Sequence, residues 1–395
     1  FFASLIFISC YRSESVRSIE ENELFTLEYG KFQEQISVSN MNNIGNVSFG
    51  LAMQDGFFYI VNGESGKIME LNSYGDLLTL FYNEESETES IVKKTQLQAN
   101  FVLHEVSYPF DYTGIIAVDS KKTIYAACTI PENRQEQSDD GSSLLCQAVL
   151  RFSRDGSEVE YIGQQGPGGT PFPFIKQIYT TLKDELVVVS SESNGLCVYW
   201  FSTDGFLKYM VPIKIDNIPP YTSSNQDSDI FITISNVVPD LVSYNLYVQT
   251  DYYSSYIDED SKIQSGVNYL QSYLYTLSIE NASYETFISI PPYEETVIAD
   301  YTKLTYKMPY DFLGVTKNGW KFFIVKTDKG FAIETFQNEN QRILRRNFNA
   351  NHSDIIYSSM HLTLDGIIDA MYIEKNAARV VWYRTDSLID SILKG

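Results

Sequence analysis

Histidine is scarce in this chain: His104, His352 and His361 are the only three among 395 residues. None stands in a His-Glu-x-x-His pair, which excludes that zinc-protease motif. No Gly-x-Ser-x-Gly elbow occurs, which argues against an appended serine hydrolase. The four cysteines show none of the tight spacings of a zinc site. Basic residues are also few, 29 Lys plus Arg against 51 Asp plus Glu, for a net charge of −22. Such a surface repels phosphate backbones and anionic headgroups, so no nucleic-acid partner is expected. Any membrane attachment must then come from something other than charge. No apolar run approaches the roughly 20 residues that a membrane span needs.

Two further runs lack what their chemistry requires. Gly63-Glu64-Ser65-Gly66-Lys67-Ile68 superficially suggests a phosphate loop. Val61 stands where the first Gly is needed and Ile68 where Ser or Thr must hold Mg²⁺. Asp258-Glu259-Asp260 has neither the glycine nor the spaced carboxylates of a calcium loop. No metal site, no cofactor and no catalytic constellation are therefore expected.

What is abundant is aromatic: 14% of residues, with 29 Tyr and 24 Phe. Aromatic and β-branched side chains suit pleated, half-buried surfaces, so the composition leans towards β structure. One unit recurs along the chain. A tight polar turn precedes an apolar strand, as in Gln54-Asp55-Gly56 before Phe57–Val61, Asp119–Lys122 before Thr123–Ala127, and Lys183-Asp184 before Glu185–Val189. Ser243-Tyr244-Asn245, Lys317-Asn318-Gly319 and Asp365-Gly366 open the remaining three copies. Asp-Gly and Asn-Gly supply the positive φ angles of two-residue hairpins. A second turn follows in most copies, such as Asn72-Ser73-Tyr74-Gly75 and Ser202-Thr203-Asp204-Gly205. Four short antiparallel strands per copy, six times over, predict an all-β propeller of six four-stranded blades, with seven as the alternative. Polar tracts at 83–98, 131–143, 216–229, 251–268 and 281–303 read as insertions. The strand–turn–strand Phe25–Val38 is expected to pack on the last blade and help to close the ring.

The third copy is the most specific. Gly163 to Pro173 is Gly-rich with Pro entering a strand, followed by Leu186–Ser190 and by Val198–Gly205. This pattern resembles the NHL type of propeller repeat, and implies the propeller fold. At the N-terminus, Phe1–Ile8 is apolar and matches the core of an export signal. The absence of a Met and of a basic leader suggests that the sequence begins downstream of its natural start. Phe7-Ile8-Ser9-Cys10 resembles the lipobox of bacterial lipoproteins, with Phe7 where Leu is usual. That resemblance implies a diacylglycerol on Cys10, a flexible tether over 10–23 and a propeller over 24–395. Together the two features are similar to propeller lipoproteins of spirochaetes and other diderm bacteria, exported and held at a membrane.

Cys128 and Cys146 lie at matching ends of a predicted hairpin, and an exported chain sits where disulfides form. A Cys128–Cys146 bridge is expected, with Cys197 in the core. Eleven Tyr fall between Tyr244 and Tyr301. Tyr252, Tyr253 and Tyr256 among them are candidates for partner contact, since Tyr gives large amphipathic area at low entropy cost. The main functional expectation is a non-catalytic lipoprotein whose propeller binds a protein or glycan in the cell envelope. The alternative is a propeller enzyme of lyase, lactonase or hydrolase type. Asp, Glu, His or Arg converging at the mouth of the central channel distinguish the enzyme; a broad aromatic surface distinguishes the binder.

Overall fold

The structure is a computed structural model, which describes residues 18–38, 49–83, 103–109, 111–221, 229–257, 263–299, 302–337, 343–350 and 354–394. Cys10 and the tracts 84–98 and 258–262 lie outside the described residues. Six sheets of four or five strands follow one another along the chain. Their innermost strands are Phe49–Gln54, Asp111–Val118, Phe174–Thr180, Ile230–Pro239, Asp311–Val315 and Ile355–Leu362. Each opens an antiparallel meander running outwards, giving six blades.

The turns form as their sequences dictate. Asp55 and Gly56 both take positive φ, 51° and 77°, the pair of angles a two-residue hairpin needs. Within the blades apolar side chains point to both sheet faces, so each blade is buried on both sides. The result is six apolar clusters, one between each neighbouring pair of blades. Near the axis the blades meet closely. A Cβ on Gly50 would stand 1.8 Å from the Gly114 carbonyl oxygen of the next blade, so only glycine fits there.

Carboxamides fix the entry of several innermost strands. Gln249 in blade four accepts from the Phe312 amide at 2.7 Å and donates to the Tyr310 carbonyl at 2.5 Å. Gln147 accepts from the Ile175 amide at 2.6 Å. Buried amides satisfied on both sides are costly to disturb.

Asn22–Glu28 is the outermost strand of blade six, paired antiparallel with Ala377–Tyr383. The expected role of Phe25–Val38 in closing the ring is thereby met in its first half. The described residues begin within the expected tether 10–23. Ser18–Ile19 pairs parallel with the outer strand of blade five, and Glu21 is held by Arg379 at 2.5 Å and by the Tyr383 hydroxyl at 3.0 Å. Two expected insertions are strands instead. Tract 251–268 extends the central hairpin of blade four, Asn245–Ile257 with Gln264–Ser278. Within 281–303, Tyr293–Ala299 pairs with Thr302–Met308 as a separate two-stranded arm.

The Cys128–Cys146 bridge is not formed: both are free thiols. The ladder sets Ala148, not Cys146, opposite Cys128. Cys128 is sealed in the core between blades one and two, where burial pushes its thiol up to about 12. Cys146 instead donates to the Pro173 carbonyl at 3.5 Å. Cys197 is buried in the core, as expected.

Lys321 is a buried cation of blade five, 4.5 Å above the Tyr247 ring. Desolvation lowers its amine to about 8, with Asp240 partly opposing. The charged form is thus disfavoured in the fold. This cost is fully present below pH 8 and is relieved as pH rises towards the unfolded value. Stability is expected to rise between pH 8 and 10 by an amount of the order of 2 kcal/mol, and Lys321→Met should flatten that rise. Denaturation midpoints of both proteins at pH 7, 8, 9 and 10 check this; parallel curves would refute it.

Candidate functional site

All six innermost strands run in the same sense, so each blade contributes to the channel in layers counted back from its first turn. The turn residues Asp119, Thr181, Asp240, Thr316 and Thr363 are equivalent, each amide bonding the residue that opens the next strand. The channel encloses about 440 Å³, a volume typical of small-molecule sites.

Two positions before the turn, blades two to five carry Ala117, Tyr179, Val238 and Gly314; blade six carries His361. His361 lines the channel, and its Nδ1 stands 3.1 Å from Asp369 Oδ1. The pairing follows from register, since His361 is directly opposite Asp369 across the Asp365-Gly366 hairpin. Asp369 is fully buried, while the His361 side chain is 33% exposed. Its equivalents in blades two to four are Tyr125, Val187 and Tyr247. An acid thus replaces an apolar or aromatic side chain there. The second oxygen, Oδ2, has no hydrogen-bond partner among the described residues. A carboxylate so placed accepts from Nδ1–H and leaves Nε2 as the basic nitrogen.

A second group lies three positions nearer the start of the strands, roughly 10 Å away along the channel at strand rise. Lys176 is the extra residue of a bulge between Ile175 and Gln177, and Ser235 that of a bulge between Ile234 and Asn236. Bulges re-aim a side chain out of the ladder. Lys176 Nζ donates to the Ser235 carbonyl at 2.9 Å. Ser235 Oγ and Ser272 Oγ both donate to the buried carboxylate of Asp251. Asp311 of blade five completes the group. Desolvation raises the Asp311 carboxyl above its usual range, repulsion from Asp251 adds to this, and Lys176 offsets it. Desolvation lowers the Lys176 amine, with Asp311 opposing. Burial thus works against the charge on each group, and their proximity partly offsets it.

The expected site residues fare differently. Tyr252 is fully buried, its hydroxyl bonded to the Pro219 carbonyl at 2.7 Å and to the Tyr275 hydroxyl at 3.0 Å. It is a packing residue, not a contact for a partner. Tyr253 is half-buried beside the channel mouth, and Tyr256 is exposed. His104 lies at the edge of blade one, its Nε2 2.5 Å from the Asp155 carbonyl; His352 is outside the described residues. The Gly63–Ile68 run is a turn entering a strand, where Lys67 Nζ meets the carbonyls of Phe32, Gln33 and Gln35. Sequence reasoning missed His361–Asp369: counting outwards from a two-residue turn at Asp365-Gly366 sets His361 opposite Ala370, and the observed register is one place different. Among the described residues no group of three or more His, Cys, Asp or Glu is placed to hold a metal ion, and no helix is long and apolar enough to cross a membrane.

No family model and no curated protein matches this chain. Solved structures similar to it include the Dos1 propeller, at 10% identity and TM-score 0.38, covering 87% of this chain and 82% of that one. A gluconolactonase from Xanthomonas campestris is similar at 9% identity and TM-score 0.41, over 85% of this chain and 86% of its own. An ulvan lyase of a polysaccharide lyase family is similar at 10% identity and TM-score 0.40, over 92% of this chain and 83% of its own. The expectation of a non-catalytic binder is corrected here. The channel itself holds the convergence of His361, Lys176 and carboxylates that favours the enzyme alternative. The six-bladed propeller stands.

Proposed function

We propose that this chain is a propeller enzyme that performs general acid–base chemistry in its central channel. The observation that carries the reading is the buried Asp369 carboxylate set against His361 Nδ1 at the channel wall. In this role Asp369 fixes the tautomer and ring orientation, and Nε2 takes a proton from water or from a carbon of the substrate. Proton removal from water gives hydrolytic ring opening; removal from carbon gives elimination. Lys176 and Asp311, at the other level of the channel, supply a cation and a carboxylate for the far end of a bound molecule. The test is turnover of a panel of lactones, glycosides and elimination-prone saccharides by the purified chain, with His361→Ala as control. Turnover that survives the substitution in full would overturn the reading.

The enzyme is proposed to sit at a bacterial membrane through a lipid on Cys10, exported by the apolar run before it. Two acyl chains hold a protein stably where one does not. Cys10→Ser in the full-length precursor is expected to move the protein into the aqueous phase of a detergent partition, or to leave its signal uncut. Normal cleavage with continued membrane fractionation would refute the anchor.

A further inference from the structure

Blade four is built differently from its neighbours. Its two central strands have 13 and 15 residues, against seven in each counterpart of blade three. The extra length rises from the face on which the innermost strands begin, the face of Lys176 and Asp311. On this raised sheet Phe231 is directly opposite Tyr253, and Tyr253 opposite Tyr269. Directly opposed residues share a face, so three aromatic rings form a row across it. The rings of Tyr253 and Tyr269 are 5.8 Å apart and meet edge to face at 72°, and Phe231 is 40% exposed. The row lies on the sheet face that turns towards blade five, with Phe231 on the innermost strand at its inner end. Asp251 and Asp311 both act electrostatically on Tyr253, and Asp251 on Tyr269. Polar groups run beneath the rings: the Tyr269 hydroxyl meets Ser272 Oγ at 2.9 Å, and Ser272 passes the connection to Asp251.

Ring faces alternating with hydroxyl and carboxylate acceptors match a molecule that has both apolar faces and hydroxyl edges. An acyl chain would strip water from the exposed Asp311 carboxyl at the channel without pairing it, at a cost. A peptide added as a strand would need the open edge of the blade, which is its outermost strand Ser283–Ile290, away from the channel. A polyanion would meet two carboxylates, Asp251 and Asp311, against one Lys176, on a protein of net charge −22; like charges disfavour that encounter. We infer that the blade-four sheet is the binding wall for an uncharged oligosaccharide, whose sugars contact the row of Phe231, Tyr253 and Tyr269.

This rests on the channel being the catalytic site, but its test is independent of turnover. The His361→Ala protein is titrated by calorimetry with hexamers of glucose, xylose, mannose and N-acetylglucosamine, and with hexagalacturonate. Binding of at least one uncharged hexamer and none of hexagalacturonate is expected. Phe231→Ala with Tyr253→Ala should weaken that binding about tenfold or more, as loss of aromatic contact area implies, with thermal melting unchanged. Phe231→Ser alone, at an exposed ring, should weaken it in the same direction. No hexamer bound, hexagalacturonate bound best, or binding untouched in a normally melting double variant would each overturn the inference. Binding without turnover by the wild-type chain would uphold the wall and overturn the catalytic reading.

Discussion

His361→Ala is expected to lower turnover about 10²–10⁴-fold, the contribution of a positioned proton-transfer group. The ring is small in the economy of the fold: it is partly exposed to the channel and lies outside the apolar clusters, so melting should shift little. Asp369→Asn is the sharper companion. It does not touch substrate in this reading and acts only through His361. Losing the carboxylate removes what holds the imidazole in its tautomer and orientation, so kcat should fall while KM changes little. A merely structural role for Asp369 would lower stability and leave kcat of the folded protein unchanged, and that result would refute the dyad.

Phe25→Ala is expected to cost about 3–5 kcal/mol, the usual range for deleting a buried aromatic ring. Phe25 is 7% exposed and meets Phe58 edge-on at 5.5 Å. It belongs to the outermost strand of blade six but packs on blade one. Gly75 sits directly beneath it, where a Cβ would come within 2.9 Å of the ring. One side chain thus joins the first and last blades. The change should appear as a lower denaturant midpoint with unchanged slope. A loss below about 1 kcal/mol would mean that the ring is closed by the backbone ladder alone.

The propeller was legible because its information is local. Asp55-Gly56 and Asp365-Gly366 announce hairpins by chemistry that depends on two residues, and the apolar runs around them repeat. The insertions were misread for a related reason. Tyr252 to Tyr256 and Tyr293 to Ala299 carry no regular apolar alternation, and their strand state is decided by pairing with Gly266–Gln271 and Thr302–Met308. The site divides the same way. His361 and Asp369 are eight apart on one hairpin, so their proximity is local, but a two-residue turn at Asp365-Gly366 would set Ala370 opposite His361 and hide the pair. Lys176, Asp251 and Asp311 come from three blades and meet only after the ring has formed, with Lys176 turned inwards by a bulge that no local residue pattern marks. The cysteines failed through register: Cys146 is displaced two places from the position that faces Cys128, and sequence distance does not reveal such a shift.

The ladder between Asn22–Glu28 and Ala377–Tyr383 has a consequence for how the molecule comes into being. Those partners are about 350 positions apart, so the early strand waits roughly 20–70 s after synthesis for its mate at ordinary elongation rates. Through that interval blades one to five can assemble in order, each on the one before, while blade six lacks its outer edge and the cluster around Phe25 has no lid. An unpaired edge of this kind invites wrong partners, including the same strand of another nascent chain. The final event of folding is therefore a long-range docking, slow for its size because the loop it closes is nearly the whole chain.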